Sequence, residues 1–228
     1  MTIKELYKKV LNAEYIQLEE QTASFAVELT DNGRSLFLYF EWSNGYTDWK
    51  NNFDFICKPY NDMTACWFVH RGFLRVWKAI ENEIADIIKD KKVQRIIIAG
   101  YSHGAAIAGL CTEYCVFNRP DIAENIFGYG YEAPRFVWGV LNPAVKKRFR
   151  HFYPIRNGRD IITRLPPVFF GYRTVGFLIK IGKKSKYRPI EAHAPENVIA
   201  SLEADEKGNI EIGTEIPFKK SFFLAEIL

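Results

Sequence analysis

The sequence predicts an α/β fold whose mostly parallel central sheet is flanked by helices on both faces. Three observations predict it. Val93–Ala99 is a β-branched run closed by Gly100, the composition of a central strand buried on both sides. From residue 71 onward, strand-like runs alternate with stretches of helical period, the pattern of strands joined by helical crossovers. No repeat, low-complexity tract or linker interrupts the 228 residues, so one domain spanning 1–228 is expected.

The elements follow in chain order. Thr2 can cap a helix carried by Ile3, Leu6, Tyr7, Val10 and Leu11. Ala23–Leu29 and Ser35–Phe40 are β-rich, and the Asp31-Asn32-Gly33 turn between them makes a hairpin. Asn44–Phe55 is polar, interleaved with aromatics and without a clean period. A helix is expected from Arg71 to Asp90, carried by Phe73, Leu74, Trp77, Ile80, Ile84, Ile87 and Ile88. Ala105–Phe117 reads as a helix of small residues, and Ile126–Tyr131 and Phe152–Arg156 as strands. Glu196–Leu202 reads as a helix and Asn209–Ile216 as a late strand.

Composition excludes some functions. The formal net charge is only +4, and the basic runs Lys146-Lys147-Arg148 and Lys180–Lys186 are short, so no nucleic-acid partner is expected. Eighteen Phe and twelve Tyr suit an apolar cleft, or simply a Phe-rich core. Residues 1–11 lack the apolar run of a secretory signal, and Val168–Ile181 is too short and too interrupted to span a bilayer. A cytoplasmic protein is therefore expected. Cys57, Cys66, Cys111 and Cys115 form no CxxC pair and read as buried free thiols; a Cys57–Cys66 disulfide stays open for an exported protein.

Gly100-Tyr101-Ser102-His103-Gly104 fits G-x-S-x-G directly between the strongest strand and the small-residue helix. That context is the nucleophile elbow of an α/β-hydrolase: a strained turn projects Ser102 Oγ above the sheet, and glycines are needed where side chains would strike strand and helix. The His103 N–H, at the helix start, is then placed to meet an oxyanion.

A serine hydroxyl needs a histidine to accept its proton and a carboxylate to orient that histidine. In this fold the chain order is Ser, acid, His. His193 satisfies it with Asp160 as the acid, in a loop after the Phe152–Arg156 strand; His151 is the competing base and Asp121 and Glu132 the competing acids. His70 precedes the serine and reads as structural.

These residues resemble a known family, the class 3 lipases that include the fungal triacylglycerol lipases. Phe40-Glu41-Trp42-Ser43 with Asp48-Trp49, then His70-Arg71-Gly72-Phe73, the elbow, Ala133-Pro134-Arg135 and Asp160–Pro167 match its motifs in order. Glu41-Trp42 stands where the family has Arg-Gly, Tyr101 where many members carry histidine, and His103 where leucine is common. The resemblance implies Ser102 as nucleophile, Asp160 as acid, His193 as base, and Ser43 with His103 as the oxyanion hole. It also implies a lid over Asn44–Phe55, whose Tyr46, Trp49, Phe53 and Phe55 would contact acyl chains or a lipid surface. Carboxylic ester hydrolysis through an acyl-enzyme is expected, with an ester or lipid partner and with no cofactor or metal. A catalytically silent binding module and an acyltransferase remain the alternatives.

Overall fold

The computed structural model describes residues 1–17, 24–41, 55–61, 65–183 and 186–216. Its main sheet grows outward from the β-branched run. Helix α1 (Ile3–Asn12) leads to β1 (Ile16–Gln17), β2 (Ser24–Thr30) and β3 (Ser35–Phe40). Strand β6 (Arg95–Tyr101) pairs in parallel with β3 on one side and with β7 (Ile126–Tyr131) on the other. Strands β9 (Phe152–Asn157) and β11 (Ile179–Ile181) continue the parallel set, while β2 and β1 close the far edge antiparallel.

Alternation along β6 explains the two layers of core. Ile96 and Ile98 point to one face, against Phe73, Trp77, Ile80 and Ile84 of α2 (Arg71–Ile88) and Leu110 of α3 (His103–Asn118). Ile97 and Ala99 point to the other, against Ile3, Leu6, Tyr7 and Val10 of α1 and Val198 and Leu202 of α5 (Pro195–Ala204). Helix α3 is buried almost all round, and Gly104, Ala105, Ala106, Ala108 and Gly109 keep its first turns slim. A Cβ on Gly109 would stand 2.3 Å from the Phe136 ring.

A second, antiparallel sheet was not anticipated. It runs in the order β10 (Tyr172–Arg173), β8 (Val137–Trp138), β5 (Cys66–His70) and β4 (Cys57–Asn61). Its strands are too short to show a period. Helix α4 (Pro143–Arg148) follows β8 and anchors through a buried Arg148–Glu113 ion pair at 2.5 Å.

Two expectations need correction. The late strand over Asn209–Ile216 is only a bridge, Thr2 to Glu211. Its backbone bonds go to the amino terminus (Ile3 N–H to Ile210 carbonyl, Ile212 N–H to Met1 carbonyl), and that partner turns helical at Ile3, so no ladder can extend. The cysteines are free, but Cys66 is exposed and Cys57 half-buried rather than buried. Cys57 faces His70 across the β4–β5 hairpin and Cys66 faces Asn61. That register leaves the two sulfurs' backbones about 13 Å apart along the ladder at ~3.3 Å per residue, beyond disulfide reach.

The register puts Phe40, Gly100–Tyr101, Tyr131 and Asn157 at the carboxyl ends of neighbouring parallel strands. Binding and chemistry in open α/β sheets gather at that edge.

Candidate active site

Ser102 follows β6 directly. Its φ of 55° and ψ of −117° lie where a non-glycine residue is strained. The turn persists because its surroundings leave no alternative. Ser102 N–H donates to the Tyr131 carbonyl at 2.8 Å, and the Ser102 carbonyl accepts from Ala105 N–H at 3.0 Å. A Cβ on Gly100 would lie 2.2 Å from the Gly104 carbonyl oxygen, and one on Gly104 would lie 2.3 Å from the Phe40 carbonyl oxygen. Both glycines are therefore demanded by backbone packing.

Asp160 lies three residues beyond β9 and is fully buried. Ile162 N–H donates to its Oδ1 at 2.8 Å, and Asp160 N–H donates to the Asn157 carbonyl at 3.0 Å. His193 sits in a 3-10 turn, Glu191–His193, immediately before α5. Its Nδ1 lies 2.7 Å from Asp160 Oδ2 and its Nε2 lies 2.8 Å from Ser102 Oγ. The structure thus brings Ser102, His193 and Asp160 into one hydrogen-bonded chain. Burial opposes the Asp160 charge, but hydrogen bonds from His193, Glu132 and Ile162 outweigh it and hold the carboxyl below its ordinary range. An ionised Asp160 requires Nδ1 to carry hydrogen, leaving Nε2 as the lone pair facing the serine.

Three neighbours hold this arrangement, and sequence reasoning gave none of them a role in it. The Tyr101 hydroxyl donates to the His193 carbonyl, and its ring stacks on the imidazole with centroids 5.3 Å apart. Asn157 donates its side-chain N–H to the Ala192 carbonyl at 2.9 Å, tying the histidine turn to β9. Glu132, weighed above only as a rival acid, is fully buried with a carboxylate oxygen within 4.8 Å of one of Asp160. It stands at φ 53°, one residue past β7, just as Ser102 stands one past β6. A polar residue directly after a central strand was the available signal.

The rivals fall elsewhere. Asp121 pairs with Arg119 at 2.9 Å ahead of β7, and His151 stacks on Phe127 ahead of β9, both at the opposite edge of the sheet. His70 caps α2, accepting from Gly72 N–H at 3.2 Å. The His103 side chain is buried and held neutral, its pKa pushed down to about 4 by burial and by His70. The His103 backbone opens α3 beside Ser102, where first-turn N–H groups point out of the helix end.

Ser43, Tyr46, Trp49 and Phe53 lie outside the described residues. Phe55 is half-buried, its ring 5.5 Å from Phe170 in the loop that follows Asp160, and Phe169 beside it is 80% exposed. A cavity of about 540 Å³ lies on the flank between β8, α4 and the chain after β10, lined by Arg135, Leu141, Phe149 and Val175 but by none of Ser102, Asp160 or His193. Glu132, Asp160 and His193 each bring one donor atom within 4.8 Å of the others, a spacing that their mutual hydrogen bonds account for. Among the described residues no helix is long and apolar enough to cross a membrane.

The family described as Lipase (class 3) matches residues 37–170, more than half of the chain. The chain is 27% identical over 158 residues to a secreted mono- and diacylglycerol lipase of Fusarium solani, covering 67% of this chain and 46% of that protein. It is 26% identical over 152 residues to a lipase of Rhizomucor miehei, covering 64% and 41% respectively. The chain thus spans less than half the length of these curated relatives. The crystal structure of a lipase from Rhizopus microsporus var. chinensis shares the fold with a TM-score of 0.64 at 19% identity, covering 87% of this chain and 75% of that one.

Proposed function

Because the chain belongs to the class 3 lipase family, we propose that it hydrolyses carboxylic esters of acyl chains through an acyl-enzyme on Ser102. The observation that carries the reading is the unbroken Asp160–His193–Ser102 hydrogen-bond chain set on a strained elbow. His193 takes the hydroxyl proton as Ser102 Oγ attacks the ester carbonyl, and Asp160 stabilises the imidazolium that forms. The His103 N–H receives the tetrahedral oxyanion together with Ser43. Collapse releases the alcohol, protonated by His193, and water activated by the same imidazole then frees the carboxylic acid. None of these steps calls for a metal or organic cofactor.

The name of the Fusarium relative favours glycerides as the ester class. A lipid surface as partner is supported by the exposed Phe169 and the Phe55–Phe170 contact in the loop leading away from Asp160. Interlocked α1, α5 and sheet side chains support reading 1–228 as one unit. Free thiols at all four cysteines favour a reducing compartment, the cytoplasm, although the Fusarium relative is named as secreted; cell fractionation decides between them.

The test is labelling with a fluorophosphonate probe, read beside turnover of p-nitrophenyl acyl esters. Wild-type protein should label stoichiometrically, and Ser102→Ala should lose both label and turnover, by about 10⁴-fold or more for the latter. A Ser102→Ala protein that keeps its esterase rate, or a folded wild type that never labels, overturns the reading.

A further inference from the structure

Two acids, not one, stand at the strand ends beside Ser102. Glu132 follows β7 and Asp160 follows β9; both are fully buried, with a carboxylate oxygen of each within 4.8 Å of the other. Their partners are unequal. Asp160 accepts from His193 Nδ1 and from Ile162 N–H. Glu132 accepts at Oε1 from Asn157 N–H at 2.8 Å, while its Oε2, equally buried, has no donor. Two carboxylates in contact cannot both stay ionised in a buried site. The proton belongs on the oxygen that nothing else donates to.

We infer that Glu132 is a neutral carboxylic acid that donates its proton from Oε2 to Asp160, making it a positioning residue for the catalytic dyad of His193 and Asp160. The inference rests on the triad reading above. Burial and the neighbouring Asp160 push the Glu132 carboxyl well above its ordinary range, while Asn157 N–H and Arg156 act against the shift without reversing it. Tyr7, Tyr101 and His193 are further ionisable groups facing the pair. The hydrogen bond spreads the charge of Asp160 and fixes the carboxylate plane that aims the imidazole at Ser102.

The sign of the pH dependence isolates the proton. Above pH 4.5 the unfolded chain loses the Glu132 proton whereas the native state keeps it. The native state then binds one more proton, so its stability falls with rising pH. Glutamine reproduces the neutral acid, accepting at one atom and donating at the other, but does not titrate. Relative to Glu132→Gln, the wild-type unfolding constant should therefore rise with pH above 4.5 for as long as the native acid holds its proton, measured by urea titration from pH 5 to 8. The acid limb of kcat/KM should stay in place in Glu132→Gln, and kcat should remain within about threefold of wild type. Glu132→Leu, which cannot donate, should lower kcat at least tenfold with KM little changed.

An ionised Glu132 gives the opposite results: no pH-dependent gap in stability, and an acid limb moved to lower pH in Glu132→Gln as a charge leaves the imidazole's surroundings. Either result overturns the inference, as does full kcat in Glu132→Leu. Fluorophosphonate titration of the wild type is the control, since failure to label would refute the triad reading while the stability gap still reports on the proton.

Discussion

Tyr101 and Ser102 show how much one backbone turn asks of its neighbours. Ser102 holds a conformation costing roughly 1–3 kcal/mol, and the bonds to Tyr131 and Ala105 keep it there. Tyr101 points to the opposite face of the sheet, where it meets the histidine turn and takes hold of it from below. Tyr101→Phe keeps the stacked ring but loses the donor to the His193 carbonyl. A neutral hydrogen bond contributes about 0.5–1.5 kcal/mol, so kcat should fall by about tenfold or less with KM unchanged. Steady-state kinetics on a short acyl ester checks this. A loss in KM alone would place the residue in substrate binding instead.

Among the elements, the contact of α3 with the end of β3 is the least forgiving. Gly104 lies so near the backbone of Phe40 and Glu41 that a methyl group there would overlap two carbonyl oxygens, at 2.3 and 2.5 Å. Backbone cannot rotate away as a side chain can. Gly104→Ala should cost about 3 kcal/mol or more, lowering Tm by roughly 6–12 °C for a chain of this size. It should also shift the start of α3 relative to β3 and so lower turnover. Gly33 offers the contrast: φ is 84° but nothing lies within 4 Å of an added Cβ. Gly33→Ala should cost only about 1 kcal/mol, from conformation alone. Thermal melts of the two variants separate steric overlap from strain.

At the scale of the whole molecule, buried ionisable groups shape the dependence of stability on pH. His103 is neutral in the native state down to about pH 4, whereas the unfolded chain takes up the proton below 6.5. Between those values the unfolded state binds more protons, so stability falls as pH falls and levels off below about 4. The full loss is about 3 kcal/mol, at ~1.4 kcal/mol per pKa unit. His103→Leu should remove that part of the acid slope, visible in urea midpoints at pH 7 and pH 4.5. Equal acid slopes in the two proteins would show that His103 is solvated in the native state.

Sequence alone determined what is local. The β-branched run, the G-x-S-x-G turn, the helical period of α2 and the small-residue run of α3 depend on side-chain shape and spacing within a few residues, so they could be read directly. The order of serine, acid and histidine along the chain was legible for the same reason, and the residues nominated from it stand within hydrogen-bond reach. The short strands β4, β5, β8 and β10 were not legible, because each is defined by its partner and not by its own pattern. Nor was the choice among acids. Asp121, Glu132 and Asp160 are alike in composition, and only the parallel register separates the edge where Asp121 binds Arg119 from the edge where Glu132 and Asp160 meet. Which carboxyl keeps a charge and which keeps a proton depends on how many donors reach it. Those donors come from β9, its loop and a turn more than thirty residues further on, so folding alone could assign them.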